Sequence, residues 1–198
     1  MGGSMGKTIR EWKYVDYQPD IYEYDEEKNA RYVLGNNGQK TLICIGINPS
    51  WACKDFSDPT MNWLVTMSRR EGYDSCIMMN PYPYRCSKPS ELPSEFEQEL
   101  LNSNFEWFDR ILEEKKNSDV LVMWGNYIGR NEDFKNAVIV ILEKMLKHNK
   151  KVFHINDLSK AGNPYHYGYL RRNKKFNDND YRKKDLDIQG YIDKIKMV

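Results

Sequence analysis

The apolar residues of the chain gather in four short runs, and the stretches between the runs repeat apolar positions at helical spacing. The runs span residues 41–47, 75–80, 119–124 and 151–155. Short apolar runs that alternate with helical patterns are typical of parallel strands joined by crossover helices. The pattern therefore predicts an α/β fold, a three-layer α/β/α sandwich with a central four-stranded parallel sheet.

Three helices are predicted between and after these runs. The first begins at Asp58-Pro59-Thr60, because aspartate caps a helix and proline suits its first turn, and it lasts until Gly72. The second runs from about residue 93 to 116 and the third from about 131 to 148. Each carries an apolar stripe that can pack on one face of the sheet.

Two regions fall outside this scheme. Residues 10–34 mix tyrosines with acidic residues and end in a short strand or hairpin arm at 30–34, followed by a turn at 35–38. The C-terminal segment 171–184 is strongly basic. Such a segment usually forms a solvated loop, but here it follows a candidate site loop and offers a local attraction for phosphates.

Length and composition favour one domain. A chain of 198 residues with 40% hydrophobic content can bury one substantial core, so we expect a single domain over residues 7–198 and a monomer. Residues 1–6 read as a cloning remnant or a disordered start, and we exclude them from the predicted domain.

Charge and cysteine content indicate the cellular compartment of the protein but do not identify its function. Thirty basic and 29 acidic side chains give a formal charge of +1, which neither requires nor excludes a nucleic-acid partner. The four cysteines form no C-x-x-C pair, and the sequence has no signal peptide and no apolar run long enough to span a bilayer. We therefore expect a reduced, cytoplasmic protein without a membrane partner.

Polar residues follow each of the four predicted strands. The segments concerned are 48–51, 80–85, 124–126 and 163–166, the last reached through Asn156. Because the carboxyl ends of parallel strands share one edge, and because ligands of open α/β sheets bind at that edge, these segments predict a binding site.

Two of the predicted strands end directly in Asn-Pro, at Asn48-Pro49 and Asn80-Pro81. Proline restricts the preceding residue to extended or turn conformations, so a stiff backbone presents each asparagine. A carboxamide offers donors and an acceptor, which suits the hydrogen-bonding edge of a nucleobase. A single Asn-Pro pair usually only caps a turn, but two pairs at equivalent strand ends favour a site.

His166 is the histidine predicted to lie in a loop at this edge, next to Pro164 and several aromatic residues. An imidazole beside a sugar–base bond can stabilise the negative charge that develops on a leaving base. We expect His148, at a helix end, and His154, within a strand, to be structural.

Other chemistries have little support in the sequence. The cysteines lie nine or more residues apart and no histidine pair has ligand spacing, so we expect no metal and no cofactor. Ser50 and the cysteines lack a recognisable base partner for nucleophilic catalysis, and the glycine-rich phosphate-binding motifs are missing.

Several short motifs resemble the bacterial and phage family known as domain of unknown function 1643. Each motif is short, but the combination is fairly specific and covers roughly residues 30 to 170. The motifs are Arg31-Tyr32-Val33-Leu34, Asn48-Pro49-Ser50, Asp58-Pro59-Thr60, Asn80-Pro81, Trp124-Gly125 and Gly162-Asn163-Pro164-Tyr165-His166.

The order of these motifs in turn resembles that of the uracil-DNA glycosylase superfamily. That resemblance implies a uracil-DNA-glycosylase-like fold with a four-stranded parallel sheet. Gly46-Ile47-Asn48-Pro49 matches the segment in which mismatch-specific glycosylases use asparagine to position the attacking water. By the same resemblance, Asn80 would read the base edge and His166 would be the catalytic histidine.

Three departures from the glycosylase pattern change what the resemblance implies. A leucine wedge usually follows the catalytic histidine, whereas Tyr167-Gly168-Tyr169-Leu170 follows here, which argues against base flipping from duplex DNA. Asn48 replaces the carboxylate of the fastest uracil enzymes, and an amide orients water without acting as a general base. Ser50 replaces a glycine, so the floor of the pocket is expected to differ.

The favoured prediction is a DNA-glycosylase-like hydrolase, of the kind used in DNA repair, that cleaves the N-glycosidic bond of a uracil-like or modified base. Its partner would be DNA, single-stranded DNA included, or a nucleotide. The alternatives are a non-catalytic nucleic-acid or nucleotide-binding module of the same fold and a hydrolase of free nucleosides or nucleotides. The predicted site residues are Asn48 and His166 for catalysis, Asn80, Trp51, Ser50 and Tyr82 for the base, and Arg171, Arg172, Lys174 and Lys175 for phosphates.

Overall fold

Seven strands form one sheet in the structure, a computed structural model that describes residues 10–172 and 181–197. The sheet order is β1-β2-β4-β3-β5-β6-β7. The strands are β1 (Ile21–Asp25), β2 (Ala30–Gly35), β3 (Thr41–Ile45), β4 (Ser75–Met79), β5 (Ser118–Val122), β6 (Lys151–Ile155) and β7 (Lys183–Asp185).

Five α-helices accompany the sheet within the same residues. They are α1 (Pro59–Arg70), α2 (Gln98–Glu114), α3 (Glu132–Lys147), α4 (Tyr167–Arg172) and α5 (Ile188–Lys196). The first three match the predicted helices, although α2 begins about five residues later than its sequence pattern suggested. None of the helices described is long and apolar enough to cross a membrane.

The α/β class is confirmed, but the sheet is larger than predicted and it is mixed. β3 pairs in parallel with β4 and β5, and β5 pairs in parallel with β6. The pairs β1–β2, β2–β4 and β6–β7 are antiparallel. A seven-stranded mixed sheet therefore takes the place of the expected four-stranded parallel one.

Hydrophobic side chains cover both faces of the sheet because alternate residues of the central strands point to opposite sides. In β3, Ile43 and Ile45 join one buried cluster, which includes side chains of α2, α3 and α5. Leu42 and Cys44 join a second cluster, which includes side chains of α1 and α4. The central strands are buried on both faces, which explains their nearly continuous apolar sequences.

The parallel pairing brings the carboxyl ends of β3, β4, β5 and β6 to one edge of the sheet. The segments after these strands are the ones predicted from the sequence to form a binding site. At the start of α1, the predicted cap is confirmed: Asp58 Oδ1 accepts a hydrogen bond of 2.9 Å from the Met61 amide. This cap starts α1 beside the same edge, since Asp58 follows the loop that leaves β3.

Candidate functional site

A cavity of about 1000 Å³ lies at the carboxyl edge of the parallel strands. Its walls come from the loop after β3, the start of α1, segments 87–89 and 125–126, residues 165–169 and the end of α4. Asn48, Ser50 and His166 all line it. Asn48 and Ser50 therefore face the same space as His166, which lies more than a hundred positions later in the sequence.

The side-chain amide of Asn48 has a fixed orientation. Its Nδ2 donates to the carbonyl oxygen of Cys86 at 2.7 Å and to that of Pro49 at 3.1 Å. Both partners are acceptors only, so the nitrogen has to face them and Oδ1 has to face away. Within the described residues Oδ1 has no hydrogen-bond partner. The side chain is therefore left with an acceptor that can hold a hydrogen of a water molecule.

The loop that carries Asn48 is tied to the segment that follows β4. The Cys86 amide donates to the Pro49 carbonyl at 3.0 Å, and Arg85 Nε donates to the Ser50 carbonyl at 2.9 Å. A Cβ on Gly46 would lie 2.4 Å from the end of the Met78 side chain, which a larger residue there would displace. The stiff loop inferred from Pro49 is thus held by specific contacts as well.

His166 is half-buried, and its hydrogen bonds define its tautomer. Nδ1 accepts from the Gly168 amide at 3.1 Å, so the proton of a neutral ring lies on Nε2. Burial and the nearby positive charge of Arg172 lower the pKa of His166 to about 4. At neutral pH the cavity is therefore lined by an uncharged imidazole that can donate one hydrogen bond from Nε2.

The segment around Gly125 supports the backbone next to His166. Gly125 adopts a φ of +64°, which favours glycine, and its amide donates to the Pro164 carbonyl at 2.8 Å. A Cβ on Gly125 would lie 3.7 Å from Cβ of His166. The two loops after β5 and β6 are therefore packed directly against one another.

A chain of buried and partly buried hydrogen bonds anchors the same loop to α5. Trp124 Nε1 donates to the Tyr191 hydroxyl at 3.0 Å, and this hydroxyl donates to Asn163 Oδ1 at 2.8 Å. Asn163 Nδ2 and the Ser159 hydroxyl both donate to Asn126 Oδ1, at 3.1 Å and 2.7 Å. Asn126 lines the cavity, so the chain connects the interior of the protein to the site wall.

We expect Tyr191→Phe to reduce the free energy of unfolding by about 1–3 kcal/mol, because it leaves Trp124 Nε1 and Asn163 Oδ1 without their buried partner. Chemical denaturation measures the loss. Tyr127→Phe is the matched control, since the Tyr127 hydroxyl makes no hydrogen bond within the described residues. A Tyr191→Phe protein as stable as this control would contradict the anchoring role.

Asn80 lies beneath the site rather than on its surface. The residue is 1% exposed, and its Oδ1 accepts from Arg31 Nη2 at 3.5 Å. Its Nδ2 is buried and has no hydrogen-bond partner among the described residues. A Cβ on Gly46 would lie 2.9 Å from this nitrogen. Asn80 is therefore next to the loop of Asn48, with an unused donor.

The two aromatic residues predicted to bind the base do not line the cavity. Tyr82 is 1% exposed, its ring stacks on Phe96 at 3.8 Å between centroids, and its hydroxyl accepts from the Glu97 amide. The prediction for Tyr82 is wrong, because its ring belongs to the hydrophobic core. Trp51 is exposed outside the cavity lining, and its Nε1 donates to the Ser87 hydroxyl at 2.9 Å.

A pair of stacked tyrosines lines the cavity instead. The rings of Tyr165 and Tyr169 are nearly parallel, with centroids 5.1 Å apart. Tyr169 is 40% exposed, so part of this pair is accessible from solvent. Neither tyrosine was among the predicted site residues, although two tyrosines within three positions of His166 were a visible signal in the sequence.

The cavity lining is strongly positive. Of the described lining residues, five carry a positive charge and only Asp58 carries a negative one. Arg171 and Arg172 were predicted to bind phosphates, whereas Lys174 and Lys175 lie outside the described residues. Arg31 was missed, although a lone cation in the apolar strand 30–34 is unusual. The five cations are Arg31, Lys88, Arg130, Arg171 and Arg172.

The other two histidines have the predicted structural positions. His148 follows α3 as its C-cap, and His154 is a buried residue of β6. Neither lines the cavity. In the parts of the chain that the structure describes, no three His, Cys, Asp or Glu side chains are grouped so that they could hold a metal ion.

Comparison with known protein families gives a match, over residues 31–166, to the family described as "Protein of unknown function (DUF1643)". Comparison with curated proteins and with solved structures gives no significant match. The matched span begins at Arg31 and ends at His166, and thus includes the loops that form the centre of the cavity. Since the match covers well over half of the sequence, this chain belongs to the DUF1643 family.

Proposed function

We propose that this protein is a DNA-glycosylase-like hydrolase that cleaves the N-glycosidic bond of a base in nucleic acid, on a fold related to that of the uracil-DNA glycosylases. One observation carries the proposal. The acceptor oxygen of Asn48 and the Nε2 proton of a neutral His166 belong to the same cavity, which five cations surround. A water acceptor, a donor for the leaving group and a phosphate-attracting rim are the parts that this reaction needs.

Asn48 acts on the attacking water in the proposed mechanism. Its Oδ1 accepts a hydrogen bond from water and aims the water oxygen at C1′ of the sugar. Because an amide does not take up a proton at neutral pH, the C1′–N bond breaks ahead of water attack and the sugar develops positive charge. The water oxygen then bonds to C1′, and its proton passes through solvent to the departed base.

His166 acts on the leaving base. The electron pair of the broken C1′–N bond remains on the base, which leaves with a negative charge. The Nε2–H group of a neutral imidazole donates a hydrogen bond to that charge, and such a preorganised donor lowers the barrier more effectively in a half-buried site than in water. Arg172 supports this role because its charge disfavours protonation of the ring.

Single-stranded nucleic acid fits the cavity rim better than duplex. Base flipping from duplex requires an apolar wedge that enters the base stack. Leu170, the candidate nearest to His166 in sequence, is 2% exposed and belongs to the hydrophobic cluster beneath α4. The stacked Tyr165–Tyr169 pair and the cations at the rim provide instead the combination by which proteins hold unpaired strands.

Base release from synthetic oligonucleotides tests the proposed function. Single-stranded and duplex DNA with uracil, hypoxanthine or modified pyrimidines are incubated with excess protein, and the free base is measured by chromatography. We expect release from at least one single-stranded substrate and loss of release in Asn48→Ala and His166→Ala. Tight binding without release would instead support the non-catalytic binding module. The specific observation that favours this alternative is the amide at position 48, which cannot act as a general base.

We expect the double variant Arg171→Gln, Arg172→Gln to weaken oligonucleotide binding and to flatten its salt dependence. Each lost phosphate contact on a single strand lowers the slope of log K against log [salt] by roughly 0.7, so two contacts give about 1.4. The control removes two cations remote from the cavity, Arg110 and Lys196, which pair with carboxylates on α2 and α3. Unchanged slopes in both double variants would favour a substrate without a phosphate chain, such as a free nucleoside.

A further inference from the structure

A second cavity of about 630 Å³ adjoins the first one, which contains Asn48 and His166. Pro59, Tyr167 and Arg171 line both, so the two cavities meet where α4 lies beside the start of α1. A volume of this size is sufficient for a small ligand. The second cavity can therefore receive a group that is attached to whatever occupies the first.

The N-terminal segment 10–13 forms one wall of the second cavity. Its backbone is held in place: Arg10 and Ser57 exchange backbone hydrogen bonds of 3.0 Å and 2.7 Å, and the Lys13 amide donates to Asn62 Oδ1 at 3.2 Å. The segment precedes residue 31, where the match to the family begins. This wall is therefore a feature of the chain that the matched span does not include.

The lining of the second cavity combines positive charge with buried aromatic rings. Among the described lining residues there are four cations and a single carboxylate, that of Glu11. Arg10 and Arg171 form no ion pair in the parts of the chain described, so both charges are available to an anion. Trp63 and Tyr167 stack with ring centroids 4.1 Å apart and are almost fully buried. The four cations are Arg10, Lys13, Arg70 and Arg171. Cations together with aromatic side chains are the features by which proteins follow a single strand.

Arg171 makes the positive charge continuous, because it lines both cavities and further cations lie on each side of it. A nucleic-acid strand carries one negative charge per nucleotide. A strand with one nucleotide in the first cavity therefore needs positive groups for its next phosphate. Arg10 is exposed, and Lys13 Nζ donates only to the Thr66 hydroxyl, at 3.2 Å, which leaves two of its three N–H groups.

We propose that the second cavity binds the neighbouring nucleotide of a single strand, next to the nucleotide whose base occupies the first cavity, and that Arg10 and Lys13 hold its phosphate. This inference rests on the proposed function, since it assumes that a base enters the first cavity. The substrate is then a strand of at least two nucleotides rather than a free nucleoside or nucleotide.

Binding as a function of strand length tests this proposal. Isothermal titration calorimetry on the full chain compares thymidine monophosphate with an eight-nucleotide thymidine strand. We expect the strand to bind about 10-fold more tightly, the order that corresponds to one further base held by the protein.

A double variant, Arg10→Gln, Lys13→Gln, assigns the gain to the second cavity. It should lower the slope of log K against log [salt] for the strand by roughly 1.4, since each lost phosphate contact on a single strand removes about 0.7. The affinity for the monophosphate should stay unchanged, because neither side chain lines the first cavity. The control Arg110→Gln, Lys196→Gln removes two cations from remote ion pairs and should change neither affinity.

Photochemical cross-linking locates the strand without any variant. Iodouracil replaces single thymines of the strand in turn, and mass spectrometry identifies the side chains that are joined to it after irradiation. We expect cross-links to Trp12, which lines the second cavity, as well as to Tyr165 or Tyr169 in the first. Cross-links confined to the first cavity would overturn the proposal, and so would a strand that binds no more tightly than the monophosphate.

The outcomes for this inference and for the proposed function can be separated. Strand binding that depends on Arg10 and Lys13, without base release from any oligonucleotide, would support the second cavity and reject hydrolysis. Base release from a free nucleotide as fast as from a strand would support hydrolysis and reject the second cavity as a nucleotide site. Loss of monophosphate binding in Arg10→Gln, Lys13→Gln would also reject it, because the second cavity would then hold a separate anion.

Discussion

His166→Ala is expected to lower the rate of base release about 100- to 1000-fold, the loss that follows removal of one preorganised donor to a developing negative charge. The alanine protein keeps Asn48 and the cations, so substrate affinity should change much less than the rate. Single-turnover measurements with excess protein separate the two quantities. Loss of affinity with an unchanged rate would mean that His166 only helps to hold the substrate.

The pH dependence of the same reaction provides an independent check. Because burial and Arg172 lower the pKa of His166 to about 4, the ring remains neutral from pH 5 to pH 8 and the rate should be level there. A decline centred near pH 6.5, the ordinary pKa of histidine, would contradict the neutral donor. Arg172→Gln should raise the pKa of His166 and move the acid limb of the profile upward.

His166 should also contribute to the pH dependence of stability. The imidazole binds a proton near pH 6.5 in the unfolded chain but only near pH 4 in the folded protein. Between these values the unfolded state carries more protons, so the free energy of unfolding falls as the pH is lowered through this window. We expect the fall to be smaller in His166→Ala. Denaturant titrations at pH 7 and pH 4.5 measure it.

Asn48→Asp is expected to lower the free energy of unfolding by about 2–4 kcal/mol at pH 7, although it supplies the carboxylate found in the fastest glycosylases. The carboxylate would place an oxygen where Nδ2 now lies, 2.7 Å from the Cys86 carbonyl and 3.1 Å from the Pro49 carbonyl. Three acceptors cannot share that space unless the new acid keeps its proton. Its pKa in the folded protein should therefore be raised.

The pH dependence of this variant has a defined sign. A carboxyl group with a raised folded pKa is tolerated below its unfolded pKa of about 4 and becomes costly as the pH rises through the folded value. The penalty in Asn48→Asp should therefore be small at pH 4 and larger at pH 8. Asn48→Ala is the control, because it removes the same hydrogen bonds without adding a charge. Equal pH dependence in both variants would show that the loop accepts a carboxylate.

Local patterns in the sequence were sufficient to predict the centre of the fold. The four apolar runs correspond to β3 to β6, because strands buried on both faces need nearly continuous apolar residues. The strand ends then led to Asn48 and His166, which line one cavity. β7 could not be found in this way, since its residues 183–185 are charged and exposed and pair through the backbone.

Some of the remaining errors came from burial, which a single sequence does not reveal directly. Tyr82 follows a strand end as Asn80 does, yet its ring packs on Phe96 in the core. Arg31 lies in an apolar strand, where a charged side chain is unfavourable unless it has a structural or functional role. For α5 the signal was present: Ile188, Tyr191, Ile192 and Ile195 have helical spacing and are buried.

The link between Trp124 and Tyr191 has a consequence for how the protein is synthesised. The loop that carries His166 leaves the ribosome before residues 188–196, yet the hydroxyl that fixes this loop belongs to α5. A nascent chain can thus form its central strands while the segment around His166 is still unsupported. The last helix described, once it docks, would complete the site. During translation there would then be an interval in which most of the hydrophobic core has formed but the loop that carries His166 is not yet anchored.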